Sequence, residues 1–369
     1  MRSRAGSSRH KQRHGVPQVE VRPITKRILH VTECFDSGTG RAIISRVLAT
    51  PHIEHHLLWA GAEPPDDKVP WASTRRMPAG LVRRVVAVRA AVAAVQPDFV
   101  HAHSSWAGVY ARAVPAGRPV IYEAHCFKFD DPALSPLRRS LIYGAEKILA
   151  RRTLRIGVLS PHETAMVRKF DCDAEIIEIP NISSFMPERE PLKGDQPRRP
   201  LVSMLGRIAP QKDPSFYIDV ADRVRAQIAD VEFCWIGDGD RSLRAELEAR
   251  DIFVTGWISS DEVRARLRNS TLYVHSAAYE GFPLSILDAA ACDVPVVARA
   301  IPALAHTALV TGADAAQVAD RAVGVLTDEQ HRGVAQEATR ALLATMDPEA
   351  LSRALRKLYE PDQLARELS

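Results

Sequence analysis

Along the chain, short apolar runs bounded by turn residues alternate with stretches whose apolar positions fall three and four apart. The first unit is "RILHVTECFDSGTGRAIISRVLA": a strand from Ile28 to Val31, a glycine-rich turn at Gly38 and Gly40, and a helix. The same order returns in "PDFVHAHSSWAGVYARA", "RPVIYEAHCFKF" and "LRIGVLSPHETAMVRKF". Such alternation predicts an α/β fold with a parallel sheet and helices on both faces. The pattern lapses in "NISSFMPEREPLKGDQPRRP", rich in proline and poor in periodic apolar residues, and restarts at "LVSMLGRIAPQKDPSFYIDVADRV". Two Rossmann-like, doubly wound halves joined by a linker would face each other across a cleft. Open α/β sheets bind ligands there, at the carboxyl ends of their strands. The predicted organisation is a basic tail over 1–22, a first half over 23–185, a linker over 186–199, a second half over 200–345 and a last helix over 346–369. That helix either belongs to the second half or crosses back to the first.

At 369 residues the chain exceeds what one core usually holds, in keeping with two domains. Its net charge of +4 is mostly an end effect, because residues 1–15 hold five Arg or Lys and no acid. The body is therefore near neutral, which argues against a nucleic-acid partner, and the tail is expected to be disordered. The five cysteines form no C-x-x-C pair, so neither a zinc site nor a disulfide framework is expected. No apolar run approaches the ~18 residues of a bilayer span, and the start lacks the apolar segment of a secretory signal. The expectation is a cytoplasmic protein.

Chemistry concentrates in "AAYEGFPLSILDAAACDVPVVARA", residues 277–300. "LYVHSA" reads as a strand, "EGFP" as a turn, and "LSILDAAA" begins a helix with Pro283 at its first position. The free amides around Gly281, Phe282 and Leu284 would form a positive helix terminus suited to a phosphate or sugar oxygen. Glu280 falls in the turn and Asp288 about one turn into the helix. Two carboxylates so held can accept hydrogen bonds from two sets of hydroxyls on one ligand, a hexose and a ribose. Upstream, "LGRIAPQKD" puts Arg207 and Lys212 after a strand and a glycine. Two cations there would neutralise the charge that builds on a departing diphosphate.

"EGFPLSILDAAACDVPVV" resembles the E-x7-E signature of retaining glycosyltransferase family 4, whose members have the two-domain GT-B fold; here it reads E-x7-D. "LGRIAPQKD" resembles that family's G-R-x4-K segment. The resemblance covers most of 26–300, is most specific at 206–212 and 277–298, and is poor beyond about 301. It implies that Glu280 contacts the donor sugar, Asp288 the nucleotide ribose, and Arg207 with Lys212 the diphosphate. It further implies that Gly237 in "WIGDGD" forms a glycine turn and that Val254 and Thr255 frame the nucleobase. Gly38 and Gly40 would approach donor phosphate and acceptor, and His125 would lie near the donor sugar, with His103 a second candidate. Two positions depart from the pattern. Asp288 is one methylene short of the usual Glu, ~1.5 Å of reach, and Asp293 stands where glycine is usual.

The implied reaction moves a hexose from a nucleoside-diphosphate sugar to an acceptor hydroxyl with the anomeric configuration retained. Uridine is the family's commonest base and guanosine the next; acceptors are glycans, lipid-linked sugars or small molecules, as in polysaccharide biosynthesis. Arg207 and Lys212 supply the charge a metal would supply, so no metal and no cofactor beyond the donor is expected; the rival reading is the D-x-D at Asp238–Asp240. Arg138, Arg139, Lys147, Arg151, Arg152 and Arg155 stand among apolar residues, a composition that can dock on anionic membrane. Competing functions are a non-catalytic nucleotide-sugar binder, a sugar-nucleotide epimerase on the same fold, and an NAD-dependent oxidoreductase. The last is disfavoured because the third glycine of its fingerprint would fall at Ile43.

Overall fold

The computed structural model describes residues 26–36, 38–62, 64–187 and 199–360. The expected basic tail, most of the linker and residues 361–369 lie outside the described residues. The first half holds strands β1 (Arg27–Thr32), β2 (Glu54–Trp59), β3 (Ser73–Arg76), β4 (Phe99–His103), β5 (Val120–Glu123), β6 (Arg155–Val158) and β7 (Glu175–Glu178). They form one sheet in the order β3-β2-β1-β4-β5-β6-β7. Helices α1 (Gly38–Ala49), α2 (Leu81–Val95), α3 (Ser105–Arg112), α4 (Pro136–Ala150) and α5 (Pro161–Arg168) alternate with them. The second half repeats the plan with β8 (Leu201–Leu205), β9 (Glu232–Ile236), β10 (Ile252–Val254), β11 (Leu272–His275), β12 (Val296–Arg299) and β13 (Val310–Gly312), ordered β10-β9-β8-β11-β12-β13. Its helices are α6 (Pro214–Arg225), α7 (Arg241–Glu248), α8 (Ser260–Arg268), α9 (Leu284–Ala291), α10 (Ala315–Thr327) and α11 (Glu329–Thr345). Every named strand pair is parallel. Helices cover both faces, which is why runs such as "LVSML" are almost continuously apolar.

The strand order reverses next to β1 in the first sheet and next to β8 in the second, and these switch points are where the two halves can present loops to a ligand. A last helix, α12 (Pro348–Tyr359), starts at Asp347, whose carboxylate accepts the Ala350 N–H. It crosses back to the first half: Leu351, Leu355, Leu358 and Tyr359 pack against Ile28, Ile53, Ile121, Ile177 and Ile179. Its carbonyl end is met by donors from that half, Lys26 Nζ to Tyr359 O at 2.7 Å and Arg155 Nη1 to Leu358 O at 2.9 Å. Fully burying each leucine contributes roughly 1.5–3 kcal/mol. The helix therefore straps the second half to the first. Arg155 is consumed in this contact and is buried, so it does not belong to the basic face expected for its segment. No helix among the described residues is long and apolar enough to cross a membrane.

Candidate functional site

The signature stretch folds as strand β11, a turn, and α9, with Pro283 as the residue that caps the helix; the helix itself begins one residue later than expected, at Leu284. No side chain caps this terminus, which leaves its first amides without a side-chain partner. Glu280 is buried in the turn and forms an ion pair with Lys212. Gln211 supports the same turn, donating Nε2 to Tyr279 O at 3.1 Å, while Ala278 N–H donates to Gln211 O at 2.9 Å. Lys212 ends a short 3₁₀ turn after β8, where Ser276 Oγ donates to its carbonyl at 2.6 Å. Its aliphatic stem crosses Gly206, whose φ of 158° opens the strand-end loop. Arg207, the next residue, is exposed and has no hydrogen bond or ion pair assigned among the described residues. Glu280, Lys212 and Arg207 are thus gathered at the carboxyl ends of β8 and β11. Behind them His275 is wholly buried, and burial holds its imidazole well below the ordinary value, with Lys212 adding to the effect.

Asp288 is placed otherwise than a free ribose acceptor. It is fully buried and takes an ion pair from Arg41 of α1, in the opposite half. Its other oxygen accepts Ser183 Oγ at 3.0 Å and the Ser184 N–H at 3.1 Å. Arg41 also donates Nε to Ser184 Oγ at 2.9 Å. Further links join the halves: Asn181 Nδ2 donates to Phe282 O at 2.9 Å, the Tyr279 hydroxyl to Asp131 at 2.9 Å, and Lys128 Nζ to the Tyr279 hydroxyl at 3.3 Å. Gly38 and Gly40, expected in a turn, instead form the first turn of α1. A methyl group placed on Gly38 would lie 3.5 Å from Leu284, so that first turn faces the α9 terminus. Gly40 is a packing residue, because any Cβ there would strike the Phe35 carbonyl.

Other expected site residues serve the loops. Gly237 (φ 135°) lets its turn rest on the Gly206 backbone and donates its N–H to Thr255 Oγ1 at 3.0 Å. Thr255 in turn donates to Gly256 O at 2.8 Å, while Val254 is buried at the end of β10. The D-x-D acids have other work: Asp240 caps α7 through the Ser242 and Leu243 amides, and Asp238 pairs with Arg244 at 3.0 Å. Asp293 occupies the left-handed position usual for glycine (φ 56°), held by two hydrogen bonds of 2.7 Å from Arg340.

The two histidines expected near the sugar point inward. His103 is fully buried, and His125 spends Nε2 on His103 Nδ1 at 2.9 Å and Nδ1 on Glu123 at 3.3 Å. Burial lowers the His125 pKa to about 4. Burial works to raise Glu123, but Arg46 and His125 overcome it and hold the carboxyl well below the usual range. What His125 presents to the donor side is backbone: a Cβ on Gly281 would come within 2.9 Å of its carbonyl oxygen. Sequence reasoning missed Arg41, Gln211, Asn181, Ser183, Ser184 and Tyr279. Of these only Arg41, directly after "GTG", carried a local signal.

A family model described as "Glycosyl transferase 4-like domain" matches residues 38–181, and one described as "Glycosyl transferases group 1" matches 199–328. A 2-deoxystreptamine N-acetyl-D-glucosaminyltransferase of Streptomyces fradiae is 26% identical over 295 residues, 70% of each chain. A UDP-Gal:alpha-D-GlcNAc-diphosphoundecaprenol alpha-1,3-galactosyltransferase of Escherichia coli is 26% identical over 224 residues, 54% of this chain and 57% of that one. Among solved structures, sucrose-phosphate synthase of Thermosynechococcus elongatus superposes with a TM-score of 0.76 at 18% identity, covering 92% of this chain and 100% of the other. Two domain models spanning both halves, relatives that transfer sugars and a shared two-sheet architecture agree: the chain belongs to the glycosyltransferases of the GT-B fold.

Proposed function

We propose that the chain moves a hexose from a UDP-sugar to an acceptor hydroxyl with retention and without a metal. The observation that carries this reading is the Glu280–Lys212 ion pair, with Glu280 four residues before the uncapped start of α9 and Arg207 in the same strand-end loop as Lys212. A diphosphate entering the gap would draw Lys212 and Arg207 to itself and meet the α9 amides, which concentrates positive charge where the leaving group becomes more negative. Glu280, released from Lys212, would accept hydrogen bonds from the sugar hydroxyls. The bond from C1 to the diphosphate oxygen breaks, the acceptor oxygen bonds to C1 on the same face, and the acceptor proton passes to the leaving phosphate. No protein nucleophile is assigned. Asp288 acts in this reading as the second-half anchor of a latch with Arg41 and not as an open ribose seat. UDP is favoured over GDP because the Escherichia coli relative is a UDP-galactose-dependent transferase, and its lipid-linked acceptor supports an acceptor of that class here.

A peripheral membrane contact has its own support. On α4, Leu137, Leu141 and Ile148 lie along one stripe and are 71%, 64% and 66% exposed, with Arg138, Arg139, Arg151 and Arg152 exposed around them. Co-sedimentation with anionic but not neutral vesicles, lost on changing Leu141 and Ile148 to Ser, is the expected result. The transfer reading is tested by UDP release from UDP-N-acetylglucosamine and UDP-galactose. Glu280→Gln should lower turnover by about 10²–10³-fold with the fold intact. Binding of either donor with no turnover in the presence of acceptors would instead mark a non-catalytic binder.

A further inference from the structure

Behind the cleft, the first sheet carries a file of buried imidazoles that the transfer reaction does not use. Strand alternation puts Ile28, His30, His55, His101, His103 and Glu123 on one face, opposite the apolar Leu29, Leu58, Val100 and Tyr122. The ring contacts run in sequence. Thr50 Oγ1 lies 3.0 Å from His55 Nε2, His55 Nδ1 lies 3.0 Å from His30 Nε2, and His30 Nδ1 lies 2.9 Å from His103 Nε2. His103 Nδ1 is 2.9 Å from His125 Nε2, and His125 Nδ1 is 3.3 Å from Glu123. Successive ring centroids are 5.2 Å apart at each step.

Counting protons gives this file a direction. A neutral imidazole has one N–H and one accepting nitrogen. Glu123, paired with Arg46 in the interior, only accepts. His125 must then present Nδ1–H to it and accept on Nε2, so His103 donates from Nδ1, and likewise His30 and His55. At the far end His55 Nε2 lies 3.0 Å from Thr50 Oγ1 and 3.2 Å from Thr50 O, and Thr50 Oγ1 lies 2.7 Å from Arg46 O. The fully charged Glu123 carboxylate outweighs these neutral oxygens in setting the direction, so the Thr50 hydroxyl turns from Arg46 O to donate to His55 Nε2. Five contacts use five protons, one from each ring and one from the hydroxyl, and every ring stays uncharged. The reverse direction leaves a bare His125 nitrogen against a carboxylate. His101 stands beside the file, with Nδ1 2.8 Å from the Tyr359 hydroxyl and Nε2 3.4 Å from Glu123. At the cleft end, His125 and Cys126 have φ of 57° and 149°, two successive non-glycine residues in left-handed backbone. That turn lies against Gly281, next to Glu280.

We propose that His55, His30 and His103 are positioning residues: their one-way file locks His125 as the Nδ1–H tautomer, and the locked ring holds the strained 125–126 turn under the donor loop. The tautomer claim stands on the structure alone, while its effect on turnover rests on the transfer reading above. The same nitrogens fall within 4.8 Å of one another in the groups His30, His101, His103 and His103, Glu123, His125, so a metal is the competing occupant. A metal in the first group would have to displace the proton between His30 and His103, and one in the second the proton between His103 and His125 or between His125 and Glu123.

Ring-¹⁵N-labelled full-length protein, studied by NMR at neutral pH, should show Nδ1–H rings for all four histidines, against the Nε2–H form that free histidine prefers. An Nε2–H or doubly protonated ring at His103 or His125, or one equivalent of transition metal in the purified chain, overturns the proposal. In the second arm, His103→Phe should lower kcat for UDP release from UDP-N-acetylglucosamine about 10- to 100-fold, with the donor KM within about twofold. His103→Gln, whose amide both donates and accepts, should recover part of the loss. Unchanged kcat in the Phe variant refutes a positioning role even where the tautomers are right. If that variant does not fold, the wild-type spectrum still decides the file. Absence of UDP release from wild type counts against the transfer reading, so the two failures are told apart.

Discussion

Replacing Arg41 by alanine tests how the halves are held together. The change removes the cation from a carboxylate that has no exposure to water, and breaking such an interior pair costs about 3–5 kcal/mol. Two features lower that figure here. The guanidinium side is 37% exposed and therefore screened, and Ser183 and Ser184 continue to donate to the other Asp288 oxygen at 3.0 and 3.1 Å. The expected cost is about 1–2 kcal/mol, a roughly 5- to 30-fold shift from joined toward parted halves. Asp288→Asn removes the charge but keeps an acceptor, so its cost should be smaller, and the double variant should fall short of the sum by about 1 kcal/mol. Urea unfolding of the full chain gives the stability cycle, and kcat/KM for UDP release gives the functional one, both falling in Arg41→Ala. Additivity within about 0.3 kcal/mol would refute the latch. Tighter UDP binding by Arg41→Ala would refute it differently, by showing that the guanidinium blocks a seat that the nucleotide needs.

Lys212→Ala should lower turnover by about 10²–10³-fold, and more than it weakens donor binding, because its charge is needed most on the leaving group; an effect confined to KM would sink that role. Burial pushes Glu163 up to about 8, from 4.5 in an unfolded chain, with the Leu159 N–H at 2.8 Å opposing it. Across that interval the folded protein keeps a proton the unfolded chain releases, so this contribution is full below about pH 4.5 and is lost as pH rises to about 8. Urea unfolding should therefore show stability falling less steeply with pH in Glu163→Gln than in wild type; equal slopes would show that the acid is ionised in the fold. Asp293→Gly relieves a left-handed residue worth roughly 1–2 kcal/mol and loses a largely exposed pair with Arg340 worth about 0.2–1 kcal/mol. Its melting temperature should stay level or rise, whereas Asp293→Ala keeps the strain, loses the pair and should melt lower.

The strand–helix alternation was legible because periods of two and of three to four residues are local, and so was the string around Glu280. The turn, the helix after it and the two cations of "LGRIAPQKD" all come together at strand ends that the pattern places. The inward direction of the histidine rings was not legible, for a physical reason. A strand end suggested ligand contact, but whether a ring there faces the gap or the interior depends on its neighbours across the sheet. His30, His55 and His103 meet only because β2, β1 and β4 are adjacent, an order no single stretch encodes. The same holds for the departure that looked most like a defect. Read along the chain, Asp288 is an acid one methylene too short for its task. In the fold, a guanidinium from the other half lies against it, anchored by Ser184 of the segment that leaves the first half. A longer acid at 288 would push into that contact. The shorter side chain and Arg41 thus make one contact, in which the first turn of α1 and the signature helix meet across the cleft.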